Sequence, residues 1–337
     1  MKARVGINGF GRIGKVALRV WLENERDIEI IAINSTSGPA KHAHILKYDS
    51  MYGTLPQDVS ATDNELHIGD KVIKFTAHRD PADIPWKEMG VDIVLECSGK
   101  FNTEESAMKH VQAGAKKVIL SAPPKSDNIP QVVMGVNEEI YDSAKHHVLS
   151  NASCTTNCMA PFAKIINDEF GIEYGLMTTV HAYTNDQQLL DKPHSDPRRA
   201  RAAAQSIIPT TTGAAKAVTK VIPELKGKLN GFAMRVPTPV VSVVDLVMQL
   251  KKDTTVEEVN RKLKEASEGK LKGIMGFSEE PLVSIDYKKD SRSSIIDGLS
   301  TMMVGPRFLK VVAWYDNEWG FSERLVDFLA YVASKGY

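Results

Sequence analysis

Cysteine is scarce. Three in 337 residues, Cys97, Cys154 and Cys158, are too few for a disulfide framework. An excess charge of either sign is missing too: Lys+Arg and Asp+Glu both number 42. That balance excludes a basic nucleic-acid scaffold or an acidic disordered tail as the main theme. No apolar run approaches the roughly 20 residues of a membrane helix. Met1-Lys2-Ala3-Arg4 runs directly into Val5-Gly6-Ile7, which leaves no room for the apolar core of a signal peptide. Internal repeats and low-complexity linkers are absent, and no cluster of ligand-type residues accompanies the cysteines to suggest a metal. Together these absences point to a cytoplasmic protein without a membrane partner and without nucleic acid as its main partner.

What is present is an ordinary globular composition, 42% hydrophobic and 25% charged, enough for a full core. At roughly 100–200 residues per domain, the length suggests two domains. Residues 3–7, 28–33, 91–96, 116–121 and 147–150 are short Val/Ile-rich runs and are expected strands. Residues 12–24, 40–49 and 103–113 between them carry helical spacing, and 65–75 reads as a hairpin turning at Gly69-Asp70. Strand–helix alternation implies a mainly parallel, doubly wound sheet. Beyond residue 150 the expected strands lengthen, to 173–183, 230–238 and 241–251, and partly alternate. That texture suits an antiparallel or mixed sheet with one covered face. Thr255 and Glu258 form an expected capping box for a helix ending at Gly269, and 320–334 reads as an amphipathic helix. Residues 184–205 lack periodicity and hold Arg198, Arg199 and Arg201; a loop of that length is usually functional.

Gly9-Phe10-Gly11-Arg12-Ile13-Gly14 follows the first strand and opens a helix. This Gly-x-Gly-x-x-Gly context gives a tight turn, close backbone approach to a pyrophosphate and close helix–strand packing, so a dinucleotide (Rossmann) fold is expected. The second strand then runs Ile33-Asn34-Ser35-Thr36-Ser37. An NAD-selective site would carry an acid there to accept from the ribose hydroxyls. Hydroxyl side chains can instead donate to a 2′-phosphate, which a carboxylate would repel. Ser35 and Thr36 therefore favour NADP, with NAD still usable.

Ser150-Asn151-Ala152-Ser153-Cys154-Thr155-Thr156-Asn157-Cys158 stands where the first domain is expected to end. Cys154 falls at the start of a helix running to about 168, where the dipole and free amides favour its thiolate. Cys158, one turn on in an apolar stretch, reads as core, although a Cys154–Cys158 metal or redox pair stays open. Pro161 is expected to bend this helix.

Four motifs, 8–14, 150–158, Pro209-Thr210-Thr211-Thr212-Gly213-Ala214-Ala215-Lys216-Ala217 and Trp314-Tyr315-Asp316-Asn317-Glu318-Trp319-Gly320, occur in order over nearly the whole chain. The chain thereby resembles the phosphorylating glyceraldehyde-3-phosphate dehydrogenases. The resemblance implies Cys154 as nucleophile and His181 as its base, forming a thioester with hydride transfer to the nicotinamide, after which inorganic phosphate releases 1,3-bisphosphoglycerate. It assigns Ser153, Thr155, Thr184, Arg199, Thr212, Gly213 and Arg235 to the substrate phosphate and inorganic phosphate, leaving Arg198 and Arg201 as a solvated basic face. On the cofactor side it adds Arg12, Ile13, Arg79, Ser121 and Asn317 to Gly9, Gly11, Gly14, Ser35 and Thr36. It implies an α/β fold: the doubly wound Rossmann sheet over 1–152, completed by a C-terminal helix at 317–337, and an α+β catalytic domain over 153–316 with a mixed or antiparallel sheet. A homotetramer is implied as well, with the long loop carrying Lys192 toward a neighbour's adenosine ribose. That lysine replaces a usually apolar residue and adds to the NADP signal, while Pro193 keeps the NAD-like residue. Erythrose-4-phosphate dehydrogenase, which lacks the phosphate-binding Thr-Gly kept here as Thr212-Gly213, is the nearest alternative. A dinucleotide-fold binding protein without a main catalytic role is the more distant one.

Overall fold

A computed structural model describes residues 2–24 and 26–337. The chain divides into two compact units. The first comprises residues 1–132, 139–152 and 322–337, and the second 133–138 and 153–321.

In the first unit, Ala3–Asn8 (β1), Ile28–Asn34 (β2), Val59–Ala61 (β3), Glu65–Ile68 (β4), Lys71–Thr76 (β5), Ile93–Glu96 (β6), Lys117–Leu120 (β7) and Val148–Ser150 (β8) form one sheet in the order β8-β7-β6-β1-β2-β5-β4-β3. Pairing is parallel from β8 to β5 and antiparallel through the β3–β4–β5 edge. Helices Arg12–Glu23 (α1), Pro39–Lys47 (α2) and Glu104–Gln112 (α3) provide the crossovers. Strands β6, β7 and β8 are buried at every residue, as strands covered on both faces must be. Trp86 is fully buried among Ala32, Val94, Ala107 and Val118, and truncating such a side chain costs about 3–5 kcal/mol.

The second unit opens with Cys154–Phe170 (α4), which continues through Pro161. Its sheet combines Ile172–Ala182 (β9), Ile208–Thr211 (β10), Leu229–Val236 (β11), Ser242–Leu250 (β12), Met275–Ser278 (β13), Ser294–Asp297 (β14) and Phe308–Tyr315 (β15). The order is β10-β11-β9-β12-β15-β14-β13, with the short 302–304 strand beside β15. The β11–β9 and β13–β14 pairs are parallel and the others antiparallel. Strict alternation along β12 buries Val244, Leu246, Met248 and Leu250. Ala214–Val221 (α5) and Val256–Glu268 (α6) belong to this unit. Trp319–Lys335 (α7) passes from the second unit into the first.

Several expectations change. Residues 133–138 belong to the second unit, because Gly135 packs so closely on Leu271 and Ile274 that a Cβ would lie 2.8 Å from each. Residues 317–321 stay with that unit as well, where Ser242 Oγ donates to Asn317 Oδ1 at 3.1 Å. The capping box of α6 is half formed. Thr255 Oγ1 accepts from the Glu258 amide, but the Glu258 carboxylate accepts from the Thr254 hydroxyl at 3.0 Å rather than turning back to the cap. Helix α7 is less amphipathic than its spacing suggests. Ser322, Glu323 and Arg324 are buried beside Leu325 and Val326, and Arg26 pairs with Glu323 and Asp327 at 3.1 and 2.8 Å. No helix among the described residues is long and apolar enough to cross a membrane.

Candidate active site

The glycine motif folds as its mechanics require. Gly9 has φ +90° and sits so close to the Ser98 backbone that no side chain fits, and Gly14 is packed on Gly9 O. A Cβ on Gly11 would meet nothing within 4 Å, so the backbone there is open to a ligand at the α1 N-terminus. A cavity of about 250 Å³ lies at the ends of β1, β2 and β6. Gly9, Gly11, Ser35, Thr36 and Arg79 of the expected set line it. These features fit the adenosine and pyrophosphate portions of a nicotinamide dinucleotide.

Other expected cofactor residues are placed differently. The Arg12 guanidinium pairs with Asp49 and lies 5.0 Å over the Tyr52 ring, so at this turn the backbone rather than that side chain faces the cavity. Ile13 and Ser121 lie outside the cavity lining; Ser121 donates its amide to Glu96 O and its hydroxyl bonds the Cys97 thiol. Burial pushes that thiol up to about 12. Lys192 is exposed on the long loop, its amide donating to Ala200 O.

In the second unit Ser153 caps α4, its hydroxyl accepting from the Thr156 amide at 3.1 Å. Cys154 is therefore the first helical residue. Its Sγ lies 3.5 Å from His181 Nε2. His181 Nδ1 sits 2.7 Å from Ala182 O, a distance that requires a proton on Nδ1, so Nε2 presents its lone pair to the thiol. Arg235 Nη1 approaches His181 Nδ1 at 3.2 Å and donates to Ala182 O and Thr184 Oγ1 at 3.1 and 3.3 Å. Burial, and then the Arg235 charge, pull His181 down to about 3. Burial raises the Cys154 thiol, while Arg235 and the helix-terminal amides work in the opposite direction. Both directions favour the uncharged forms of the pair.

Around this pair the structure collects Arg235 and Thr184, and Arg199 is near enough to add to the depression of His181. Arg199 is held by Asp186, by Thr210 Oγ1 at 2.9 Å and by Thr211 O at 3.1 Å. Thr212 and Gly213, at the N-terminus of α5, line a separate cavity of about 870 Å³ together with Arg198 and Lys216. Arg198 is exposed as expected yet also borders that cavity, and Arg201 pairs with Asp191 at 2.8 Å. Thr155 is buried with its hydroxyl 2.8 Å from the Tyr315 hydroxyl. Its side chain is thus committed to the core. Cys158 donates weakly to Ser294 Oγ and Ala313 O, and both it and Cys154 are free thiols, so no redox pair is formed.

Two family models match the chain. Residues 3–104 match the glyceraldehyde 3-phosphate dehydrogenase NAD binding domain, and 153–317 match the C-terminal domain. The chain is 61% identical to glyceraldehyde-3-phosphate dehydrogenase of Geobacillus stearothermophilus, with all of both chains covered. It is 59% identical to glyceraldehyde-3-phosphate dehydrogenase 1 of Bacillus subtilis (strain 168), again over both full lengths. Glyceraldehyde-3-phosphate dehydrogenase 2 of the same organism is 52% identical over 99% of this chain and 98% of that protein. The chain belongs to the glyceraldehyde-3-phosphate dehydrogenase family.

This family member carries further residues at its sites that motif reading passed over. Tyr315 bridges the Thr155 and Thr179 hydroxyls at 2.8 and 2.9 Å, and its ring stands edge-on to His181. Ser242 accepts from the Ala182 amide at 3.0 Å while donating to Asn317, and the preceding Val241 is buried at φ +69°. In the first unit the buried Glu96 carboxylate accepts from Asn8 Nδ2, His110 Nε2, and the Ser98 amide and hydroxyl. Tyr315 lay within a quoted motif. Ser242 and Glu96 carry no motif of their own, because most of their partners are remote in sequence.

Proposed function

We propose that the chain catalyses the reversible phosphorylating oxidation of glyceraldehyde 3-phosphate to 1,3-bisphosphoglycerate, with NADP preferred and NAD usable. The observation that carries this is the Cys154–His181 pair, held at 3.5 Å with the Nε2 lone pair facing Sγ. His181 takes the thiol proton as Cys154 attacks the aldehyde carbon and returns it to the alkoxide that forms, giving a thiohemiacetal and a neutral imidazole. A bound nicotinamide cofactor would supply the hydride acceptor for that carbon. His181 takes up the hydroxyl proton as the carbonyl reforms, leaving a thioester on Cys154. The Cys154 amide, at the first turn of α4, donates to the oxyanion of each tetrahedral species. Inorganic phosphate then attacks the thioester carbon, and the thiolate leaves and is reprotonated. Arg235, Thr184, Arg199, Ser153, Thr212 and Gly213 serve the substrate phosphate and inorganic phosphate as guanidinium, hydroxyl and amide donors. Asn317 holds the nicotinamide carboxamide.

Steady-state kinetics with glyceraldehyde 3-phosphate, with each cofactor and with or without phosphate, is the decisive measurement. Turnover is expected to require phosphate and to collapse in Cys154→Ser, whose hydroxyl stays protonated near neutral pH, with cofactor binding intact. Cys158→Ser is expected to keep most activity; equal loss in both variants would overturn the assignment. Cofactor choice rests on Ser35, Thr36 and Lys192. Ser35→Asp is expected to shift the kcat/KM ratio toward NAD at least tenfold, about 1.4 kcal/mol. Lys192→Leu is expected to weaken NADP, with a loss that shrinks at high salt.

The assembly we propose is a cytoplasmic homotetramer with two-fold axes. Leu189 and Leu190 on the long loop are 82% and 75% exposed, and Tyr174 and Leu176 stand open on the second sheet; apolar surface of this kind supports burial between copies. Light scattering that reports a monomer at micromolar concentration would remove Lys192 as a cross-subunit ligand.

A further inference from the structure

His42, on α2, has no part in the reaction described above. Its ring is 7% exposed and stands between Phe10 and Phe75, with centroids 5.3 and 5.6 Å away. Nε2 lies 2.9 Å from Ser35 Oγ, while Nδ1 is buried with no hydrogen-bond partner. Burial, and then the nearby Lys15 ammonium, hold this histidine down to about 4, so the ring carries a single N–H at neutral pH. That ammonium is itself fixed on Phe10 O and lies over the Phe10 ring.

Two neutral tautomers compete. A proton on Nδ1 would bury a donor with nothing to receive it. A proton on Nε2 leaves only an acceptor unfilled, and buried orphan donors are rarer than under-used acceptors. The Nε2–H form is therefore favoured, and it donates to Ser35 Oγ. With its oxygen facing His42 as acceptor, Ser35 directs its own hydrogen elsewhere. Ser35 lines the 250 Å³ cavity together with Thr36, Arg79 and Lys100. A serine that donates to histidine would offer that cavity lone pairs, which suit a ribose hydroxyl. A serine that accepts from histidine offers it a hydrogen, which suits a phosphate oxygen.

We propose that His42 is a specificity-determining residue, fixing Ser35 as a hydrogen-bond donor to the 2′-phosphate of NADP; this rests on the reading of Ser35 as the residue facing the adenosine ribose.

The test uses the full chain and two fragments without nicotinamide, adenosine 5′-monophosphate and adenosine 2′,5′-bisphosphate, with Kd values from isothermal titration. The readout is the preference for the fragment bearing the 2′-phosphate. His42→Leu is expected to lower that preference at least fivefold while the monophosphate Kd stays within twofold. His42→Gln, whose amide can still donate to Ser35, is expected to retain it. In a Ser35→Ala background, His42→Leu is expected to change nothing further. ¹⁵N shifts of the His42 ring in the unsubstituted protein are expected to show a protonated Nε2 and a bare Nδ1. An unchanged preference in His42→Leu, an equal fall without Ser35, or a protonated Nδ1 would each overturn the proposal. If Ser35→Asp shifts the preference while His42→Leu does not, the proposal fails and the NADP reading survives. If the unsubstituted protein shows no preference and Ser35→Asp is silent, both fail together.

Discussion

Val241 is a β-branched residue with φ +69°, a conformation that costs about 1–3 kcal/mol and persists only where surroundings impose it. What it delivers is Ser242, whose hydroxyl is shared between the Ala182 amide, next to His181, and Asn317 Oδ1. Because Ser242 donates to Oδ1, the orientation of the Asn317 side-chain amide is fixed. Ser242→Ala would leave a buried amide unpaired and release that orientation. The expected result is a loss of stability of about 1–3 kcal/mol, together with a rise of about fivefold or more in the cofactor KM, as for a lost hydrogen bond of about 1 kcal/mol. Thermal melts and steady-state kinetics on one preparation check both. Cys154 is legible in the sequence through its motif and its chemistry, whereas Arg235 lies in no motif and is expected only through the family resemblance. Ser242 is not: nothing in Val240-Val241-Ser242 marks a turn, and its partners lie 60 and 75 residues away.

At the level of elements, the strand–turn–helix of β1 and α1 is legible because its glycines, apolar run and helical spacing are all local. Strand β15 is the instructive omission. Leu309, Val311, Ala313 and Tyr315 alternate inward, so a period-2 signal exists, but it runs into the Trp314–Gly320 motif, whose residue types mask it. The α6 cap is legible at Thr255 but not at Glu258, because a nearby hydroxyl, Thr254, competes for the carboxylate. Glu96 closes β6 onto its neighbours. It holds Asn8 at the end of β1 and, through Asn8 Oδ1, the Asn34 amide at the end of β2. Trp86 Nε1 donates to His110 Nδ1, which leaves His110 Nε2–H to donate to Glu96. In Glu96→Gln an amide NH₂ must face groups that are themselves donors. Leaving buried donors unmet is expected to cost about 2–5 kcal/mol, read as a lowered Tm, with weaker dinucleotide binding by fluorescence titration because Ser98 and Asn8 line the cavity.

For the molecule as a whole, acid is the expected weak point. His181 at about 3 and His42 at about 4 both lie below the ordinary 6.5. Between those values the unfolded chain binds protons that the folded chain refuses. Stability is therefore expected to fall as pH drops below about 6.5, by up to ~1.4 kcal/mol per pH unit for each histidine. The contribution of His42 levels off near pH 4 and that of His181 near pH 3. Urea midpoints from pH 7 to 4.5 are expected to slope less steeply in a His42→Leu, His181→Asn double variant. The sequence made the two-unit plan visible through its change of texture near residue 150. The excursion of 133–138 was hidden, since it depends on Gly135 meeting Leu271 and Ile274.

That plan has a consequence for biosynthesis. The chain passes between units after Val132, Glu138, Ala152 and Phe321, so the first unit receives its last segment only when the second has been translated. At 5–20 residues per second the ribosome needs roughly 10–30 s to travel from 152 to 322. Through that interval Arg26 has no Glu323 or Asp327 to meet, and the places later filled by Leu325, Phe328 and Leu329 stand open to water. The nascent N-terminal half is then expected to lean on chaperones, and transcripts truncated before codon 322 are expected to yield aggregated or degraded product.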